Sequence, residues 1–103
     1  MQRLTVVRYT VKPEAIGENE ALCKAVFDEA RAKQPKGVAY ALFRKGGEFI
    51  HVFMNFAEDD SEAITGLPSF KSFGKDLPSR CLIEPKPERL SVEAVERYGF
   101  NAS

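Results

Sequence analysis

Polar and apolar positions alternate along three stretches of the chain and follow a helical period along others. Residues 3–12, 38–45 and 48–56 alternate and are rich in β-branched and aromatic residues, which predicts strands. Residues 18–34 repeat apolar side chains every three or four positions, which predicts an amphipathic helix. The apolar stripe of this helix consists of Leu22, Cys23, Val26, Phe27 and Ala30.

The second half of the chain predicts another helix and a last strand. The acidic run over residues 58–62 precedes helically spaced apolar residues over 67–77. Its side chains are therefore expected to cap that helix rather than bind a cation. Residues 85–87 predict a stiff connector, and residues 88–98 a last strand. A helix over 88–98 is the alternative, because Glu, Arg and Ala favour helices.

The predicted order β-α-β-β-α-β is that of an α+β, ferredoxin-like fold. In this fold a four-stranded antiparallel sheet carries two helices on one face. A chain of 103 residues accommodates one such domain, so residues 1–103 are expected to form a single unit. Gly46 and Gly47 separate two alternating runs, which predicts a two-residue hairpin turn that places Leu42 opposite His51.

The hairpin register also divides the hairpin into two faces. One face pairs small with aliphatic residues, such as Ala41 with Val52, and is expected to pack against the helices. The opposite face is predicted to point away from the helices, and it carries Val38, Tyr40, Leu42, Phe49, His51 and Phe53. That face is too apolar to remain in water, so something must cover it.

Charge and composition exclude several classes of protein. Fifteen basic and fifteen acidic residues cancel, so nothing favours a nucleic acid or an anionic membrane as partner. A match to the RNA-recognition pattern begins at Lys45, but Gly47 stands where a stacking aromatic belongs, and RNA is not expected. Neither a signal peptide nor a membrane span is seen, which predicts a cytoplasmic protein. Cys23 and Cys81 lie far apart, so no metal site is expected.

Three segments resemble the antibiotic biosynthesis monooxygenase-like superfamily of dimeric α/β-barrel proteins. They are VVRYTVKPE at 6–14, PKGVAYALFR at 35–44 and EAITGLPSFKSF at 62–73. The resemblance implies a homodimer in which two sheets pack face to face and close a barrel with small cavities. It also implies an apolar or aromatic ligand and, as one activity, oxygenation of quinol- or anthrone-like substrates without a cofactor. A non-catalytic ligand-binding or interaction dimer of the same fold is the alternative.

The sequence departs from the family pattern in two respects. Histidines common in the family near Ile64 and Ser69 are missing. The chain also lacks tryptophan, which the haem-degrading branch uses against its macrocycle, so haem degradation is not expected.

Six residues are predicted to line the cavity. His51 is the candidate general base and Asn55 a candidate donor to an oxyanion or dioxygen. Substrate contacts are predicted for Arg8, Tyr40, Leu42 and Phe53. Apolar neighbours should lower the pKa of His51. Structural alternatives stay open: a His51 hydrogen-bonded within a dimer interface or the core, a strand-ending Asn55, a packed Tyr40 with a hydrogen-bonded hydroxyl, and an ion pair at the dimer rim for Arg8.

Overall fold

The computed structural model describes residues 2–57 and 63–99. The predicted cap over residues 58–62 lies outside the described residues. The chain forms, in order, β1 (Gln2–Val11), a short 3₁₀ helix (Pro13–Ala15), α1 (Ile16–Lys33), β2 (Val38–Lys45), β3 (Glu48–Asn55), α2 (Pro68–Lys75), α3 (Leu77–Arg80) and β4 (Cys81–Val92). No helix among these described ranges is long and apolar enough to cross a membrane.

The four strands form one antiparallel sheet in the order β2-β3-β1-β4. This arrangement confirms the predicted α+β, ferredoxin-like fold. The predicted hairpin register is also confirmed, with Lys45 opposite Glu48 and Leu42 opposite His51. Gly46 has φ 60°, a left-handed conformation that glycine adopts without steric cost and that a two-residue hairpin turn requires.

The predicted assignment of the two hairpin faces is wrong, because the helices cover the face that bears His51. The Tyr40 ring stacks on Phe27 of α1 with centroids 4.3 Å apart, and the Phe53 ring meets Phe70 of α2 at 6.1 Å. The smaller side chains at the contact between helix and sheet lie on α1 and not on the sheet. The buried side chains of α1 are Asn19, Cys23 and Val26. Large rings on the sheet therefore fill the space that the small helix residues leave.

The centre of the opposite face of the sheet is apolar and partly exposed. Successive strand residues point to opposite faces, so Val52 points away from the helices and lies between Val6 and Ala41. Toward the sheet edges, Phe43 is 57% exposed and Leu90 is 44% exposed. We call this surface the helix-distal face.

The last strand begins earlier than predicted and ends earlier. β4 starts at Cys81, so residues 85–87 belong to the strand and are not a connector. The two prolines are tolerated because β4 is an edge strand that pairs only with β1 and has one side without a neighbour. The alternative of a helix over 88–98 is also excluded, since residues up to Val92 pair with β1.

Candidate functional site

A cleft of about 500 Å³ lies between the helix side of the sheet and α2. The sheet contributes Val7, Phe53 and Pro87, one from each of β1, β3 and β4. The opposing wall consists of Phe70 and Phe73, whose rings meet edge-on at 5.6 Å. The walls are therefore mainly apolar and aromatic.

A carboxylate on α1 holds the N-terminus of α2, the helix that forms this wall. Pro68 opens α2, and the preceding Leu67 has no side chain able to cap it. Glu29 Oε1 instead accepts hydrogen bonds from Ser69 N at 2.9 Å and Ser69 Oγ at 2.5 Å. Its other oxygen, Oε2, lies 2.8 Å from Lys33 Nζ. The hydrogen bonds from Lys33 and Ser69 lower the pKa of Glu29 to about 2.

The cleft ends on a buried imidazole flanked by two phenols. His51 Nδ1 lies 2.6 Å from Tyr40 Oη, and His51 Nε2 lies 2.7 Å from Tyr9 Oη. His51 is 2% exposed, and burial lowers its pKa to about 4. Burial likewise raises the pKa of both tyrosine hydroxyls. All three groups are therefore neutral near pH 7.

A buried arginine stands behind Tyr9. Arg80 is 4% exposed; its Nε donates to Asn19 Oδ1 at 3.1 Å, and its Nη2 donates to the Phe73 carbonyl at 2.7 Å. Asn19 Nδ2 in turn donates to Tyr9 Oη at 3.0 Å. No carboxylate among the described residues contacts the guanidinium. The nearby Cys23 is a thiol at neutral pH, because burial raises its pKa to about 11.

Three of the predicted site residues line the cleft, namely His51, Phe53 and Asn55. Tyr40 does not line it but reaches His51 through its hydroxyl, as the packing alternative for Tyr40 predicts. Leu42 lies on the helix side in a separate groove. Asn55 Oδ1 accepts the backbone N–H of residue 57 at 3.0 Å, so this side chain also helps to end β3.

Arg8 lies on the other side of the sheet, so its predicted place beside His51 is wrong. Val7 and Tyr9, its neighbours in β1, point toward the helices, which is the side of the cleft. Arg8 instead pairs with Glu48, with Nη2 and Oε2 3.0 Å apart, and its side chain is 60% exposed. The ion-pair alternative for Arg8 is the one that the structure shows.

Sequence reasoning missed Asn19 and Arg80. Asn19 stands four residues before Cys23 and so shares the face of α1 that carries the predicted apolar stripe, and a polar residue on that face is a usable signal. Arg80 offers no comparable signal, because arginine is rarely buried without a charged partner. Within residues 2–57 and 63–99, no group of three or more His, Cys, Asp or Glu side chains is placed to hold a metal ion.

Comparison with known proteins places the fold. No family model and no curated protein matches the chain. Among solved structures, a candidate antibiotic biosynthesis monooxygenase from Caulobacter crescentus matches with a TM-score of 0.73 and 23% identity, over 89% of this chain and 91% of that one. A conserved protein from Methanosarcina mazei matches with a TM-score of 0.74 and 18% identity, over 90% and 94%.

A third structure shows how far the sequences diverge within this fold. It is a candidate antibiotic biosynthesis monooxygenase from Nitrosomonas europaea, with a TM-score of 0.73 and 9% identity over 88% of this chain and 89% of that one. The resemblance seen in the sequence is thereby confirmed at the level of the fold, which this chain shares with structures named antibiotic biosynthesis monooxygenases.

Proposed function

We propose that the protein is a homodimer that binds an apolar or aromatic small molecule and oxidises a quinol- or anthrone-like substrate without a cofactor. The observation that carries the proposal is the aromatic-walled cleft that ends on a buried, neutral His51 between two tyrosine hydroxyls. The neighbouring structures named as monooxygenases support the type of reaction.

The cleft suits a flat, apolar ligand. Its volume of about 500 Å³ falls within the range of roughly 300 to 1,000 Å³ that is usual for small-molecule sites. Phe53, Phe70 and Phe73 offer ring edges and faces to an aromatic ligand. The lining also includes polar side chains on three strands, among them Arg3, Asn55 and Arg89, which can orient a ligand in a mainly apolar site.

In an anthrone, the reacting carbon of the proposed substrate is a CH₂ group. A base removes one proton from that carbon, and the resulting anion gives one electron to dioxygen. The two radicals combine into a peroxide at the same carbon. Protonation of the peroxide and loss of water then leave a carbonyl, so one oxygen atom enters the product and the other leaves as water.

In this reaction His51 would act as the base and Asn55 would hold the oxyanion or dioxygen. For a substrate proton as acidic as that of a phenol, with a pKa of about 10, transfer to His51, whose pKa is lowered to about 4, costs roughly 8 kcal/mol before ion pairing. A turnover of about one per second allows a barrier of roughly 17 kcal/mol. The low basicity of His51 therefore slows the proposed proton transfer without forbidding it.

One observation favours a non-catalytic ligand-binding dimer as the second candidate. Both ring nitrogens of His51 are already bonded to Tyr9 and Tyr40. A substrate proton can reach the imidazole only if one of these bonds opens. In a protein that only binds its ligand, the same bonds would stay closed.

The reason to propose a homodimer is the helix-distal face. Its central side chains, among them Val6, Ala41 and Val52, are apolar and only partly covered, and Phe43 is largely exposed. Packing this face against the same face of a second chain would remove it from water, as the hydrophobic effect favours.

Oxygen consumption with a panel of anthrones and quinols tests the activity. Wild type should consume oxygen with at least one compound, and His51→Ala should lower that rate by about a hundredfold or more. Asn55→Ala should also lower it. The fully exposed Tyr98 supplies the control, Tyr98→Phe, which should match wild type.

Two outcomes would contradict the assignment. A dimeric His51→Ala variant that turns over as fast as wild type would remove His51 as the base. Compounds that bind without any oxygen consumption would leave the non-catalytic candidate as the function.

A further inference from the structure

The donor and the acceptor of each hydrogen bond between Arg80, Asn19 and Tyr9 can be assigned, starting from Arg80. A guanidinium can only donate hydrogen bonds, so the atom of Asn19 that faces Arg80 Nε must be the carbonyl oxygen. The amide NH₂ of Asn19 therefore faces Tyr9 and donates to its oxygen. The Tyr9 oxygen is thus an acceptor on the side of α1.

Tyr40 decides which ring nitrogen of His51 carries the proton. Neutral imidazole has one N–H donor and one bare acceptor nitrogen. If Tyr9 donated to Nε2, then Nδ1–H would donate to Tyr40, whose own proton would have no acceptor among the described residues. The other arrangement has Tyr40 donating to Nδ1 and Nε2–H donating to Tyr9, and it leaves only the Tyr9 proton with a weak acceptor.

Two donors therefore converge on the oxygen of Tyr9, one from Asn19 and one from His51. Its own proton is left with Cys23 Sγ at 3.9 Å, a long contact to a weak acceptor. A hydroxyl whose oxygen accepts two hydrogen bonds becomes a stronger donor, because hydrogen bonds in a chain polarise one another. Tyr9 also lines the cleft, whereas Asn19 and Arg80 do not.

We propose that Tyr9 is the oxyanion-binding donor of the cleft, held in that role by Asn19 and Arg80, and that the ligand carries an ionised phenol or enol oxygen. Tyr9 touches the ligand oxygen, and the two residues behind it are positioning residues. This inference rests on the proposed function, since it names the ionised group of the same ligand.

The charge of Arg80 agrees with an anionic ligand. A cation that is 4% exposed and contacts no carboxylate among the described residues is costly to bury. Two hydrogen bonds, through Asn19 and Tyr9, connect it to the cleft. A ligand oxyanion at Tyr9 would supply the opposite charge, and its approach would replace only the weak contact to Cys23.

Nitrophenols provide the test, because their phenolate absorbs at a longer wavelength than the phenol. We would titrate para-nitrophenol and a nitronaphthol bound to the intact protein and compare their pKa with the pKa in free solution. Nitroanisole, which has no ionisable oxygen, measures the apolar part of binding. Wild type should lower the pKa of the bound phenols, which means that phenolate binds more tightly than phenol.

Tyr9→Phe removes the proposed donor without a change in charge. It should reduce the preference for phenolate by about 10- to 100-fold, as expected for a hydrogen bond to a charged group. Its binding of nitroanisole should stay the same. Tyr98→Phe, at a fully exposed position, should change neither quantity.

Asn19→Asp tests the positioning residues in a chain that keeps a partner for Arg80. The carboxylate can still accept from Arg80 Nε, but it cannot donate to Tyr9, and Tyr9 would donate to it instead. The preference for phenolate should fall as in Tyr9→Phe. If Asn19 acts through Tyr9, Asn19→Asp should have little further effect in the Tyr9→Phe background.

The outcomes separate this inference from the proposed activity. Phenolate preference that depends on Tyr9 upholds the inference even if no compound consumes oxygen. An unchanged preference in Tyr9→Phe, or fully additive effects of the two substitutions, would overturn it even if the enzyme turns over. Failure of wild type to bind either phenol would overturn both.

Discussion

At the scale of single residues, the cluster around His51 is held together by complete hydrogen bonding rather than by ion pairs. Among the described residues, no buried side-chain nitrogen or oxygen lacks a partner. Each such bond contributes only about 0.5 to 1.5 kcal/mol net, but deleting one partner costs about 1 to 3 kcal/mol because the other stays buried and unpaired. The cluster therefore tolerates substitution poorly, which makes conservative changes the informative ones.

The low pKa of His51 predicts a specific dependence of stability on pH. The unfolded chain binds a proton near pH 6.5, while the folded chain binds it only near pH 4. The contribution of His51 is therefore complete above about pH 6.5 and is lost as the pH falls toward 4. From this group alone, the free energy of unfolding should be roughly 2 to 3 kcal/mol lower at about pH 4.5 than at about pH 7.5.

Urea unfolding of wild type and His51→Gln at both pH values measures this contribution. Glutamine does not titrate, so the carboxylates that do titrate affect both proteins alike. The difference in unfolding free energy between the two proteins should shrink by roughly 2 kcal/mol at the lower pH. A constant difference would mean that the imidazole is protonated in the folded chain at the same pH as in the unfolded one.

The sequence predicts some of these residue properties and misses others. The hairpin register predicts the direction of the His51 pKa, because it places apolar and aromatic neighbours beside the imidazole, but Tyr9 and Phe73 complete the burial that lowers this pKa. Asn19 and Arg80 are 61 positions apart in sequence and meet only through the tertiary fold. No local sequence pattern predicts such a contact.

At the scale of elements, the hairpin shows that sequence patterns predict the strand register but not which face the helices cover. Two-residue turns fix the register, so every pair from Val38 opposite residue 55 to Lys45 opposite Glu48 is predictable. Alternation states which residues share a face, but both faces here are apolar. Which face receives the helices depends on the size of the side chains on α1, and this information lies elsewhere in the chain.

Helix α2 depends on a cap supplied by another helix. Glu29→Ala removes the acceptor for Ser69 N and Oγ, and no side chain of the preceding residue replaces it. Hydrogen exchange at the first amides of α2 should become roughly fivefold faster, a size typical of a lost cap. Because the pKa of Glu29 is lowered to about 2, the cap should persist above pH 4.5 and weaken only below it.

Asp28→Ala is the matched control for this prediction. Asp28 neighbours Glu29 on α1 and pairs with Lys24 and Arg31, but its side chain is 55% exposed and makes no contact with α2 among the described interactions. Exchange in α2 should therefore stay at the wild-type rate. Equal acceleration in both variants would show that the effect comes from α1 and not from the cap.

At the scale of the whole molecule, the two sides of the sheet differ in what they bury. The helix side buries the polar cluster and forms the cleft, while the helix-distal face carries apolar side chains that one chain alone leaves partly in water. The sequence predicts an apolar face that the helices leave uncovered. It names the wrong face, and the residues expected at the interface must be exchanged for those on the other side, such as Val6 and Val52.

A charge at the centre of the helix-distal face should therefore separate the proposed dimer. Wild type should sediment at micromolar concentration with twice the chain mass of 11.5 kDa. Val52→Lys should sediment as a monomer, because a buried, unpaired ammonium is too costly at the centre of an interface. Val95→Lys adds the same charge at an 86% exposed position and should stay dimeric.

The same variant shows whether the binding site needs the second chain. The cleft lies on the helix side of the sheet, whereas the proposed interface lies on the opposite side. Monomeric Val52→Lys should therefore still bind para-nitrophenol, with an affinity within a few-fold of wild type. A wild-type monomer would refute the barrel, and a dimeric Val52→Lys would place the interface elsewhere. A folded monomer that no longer binds the phenol would show that the partner chain completes the cleft.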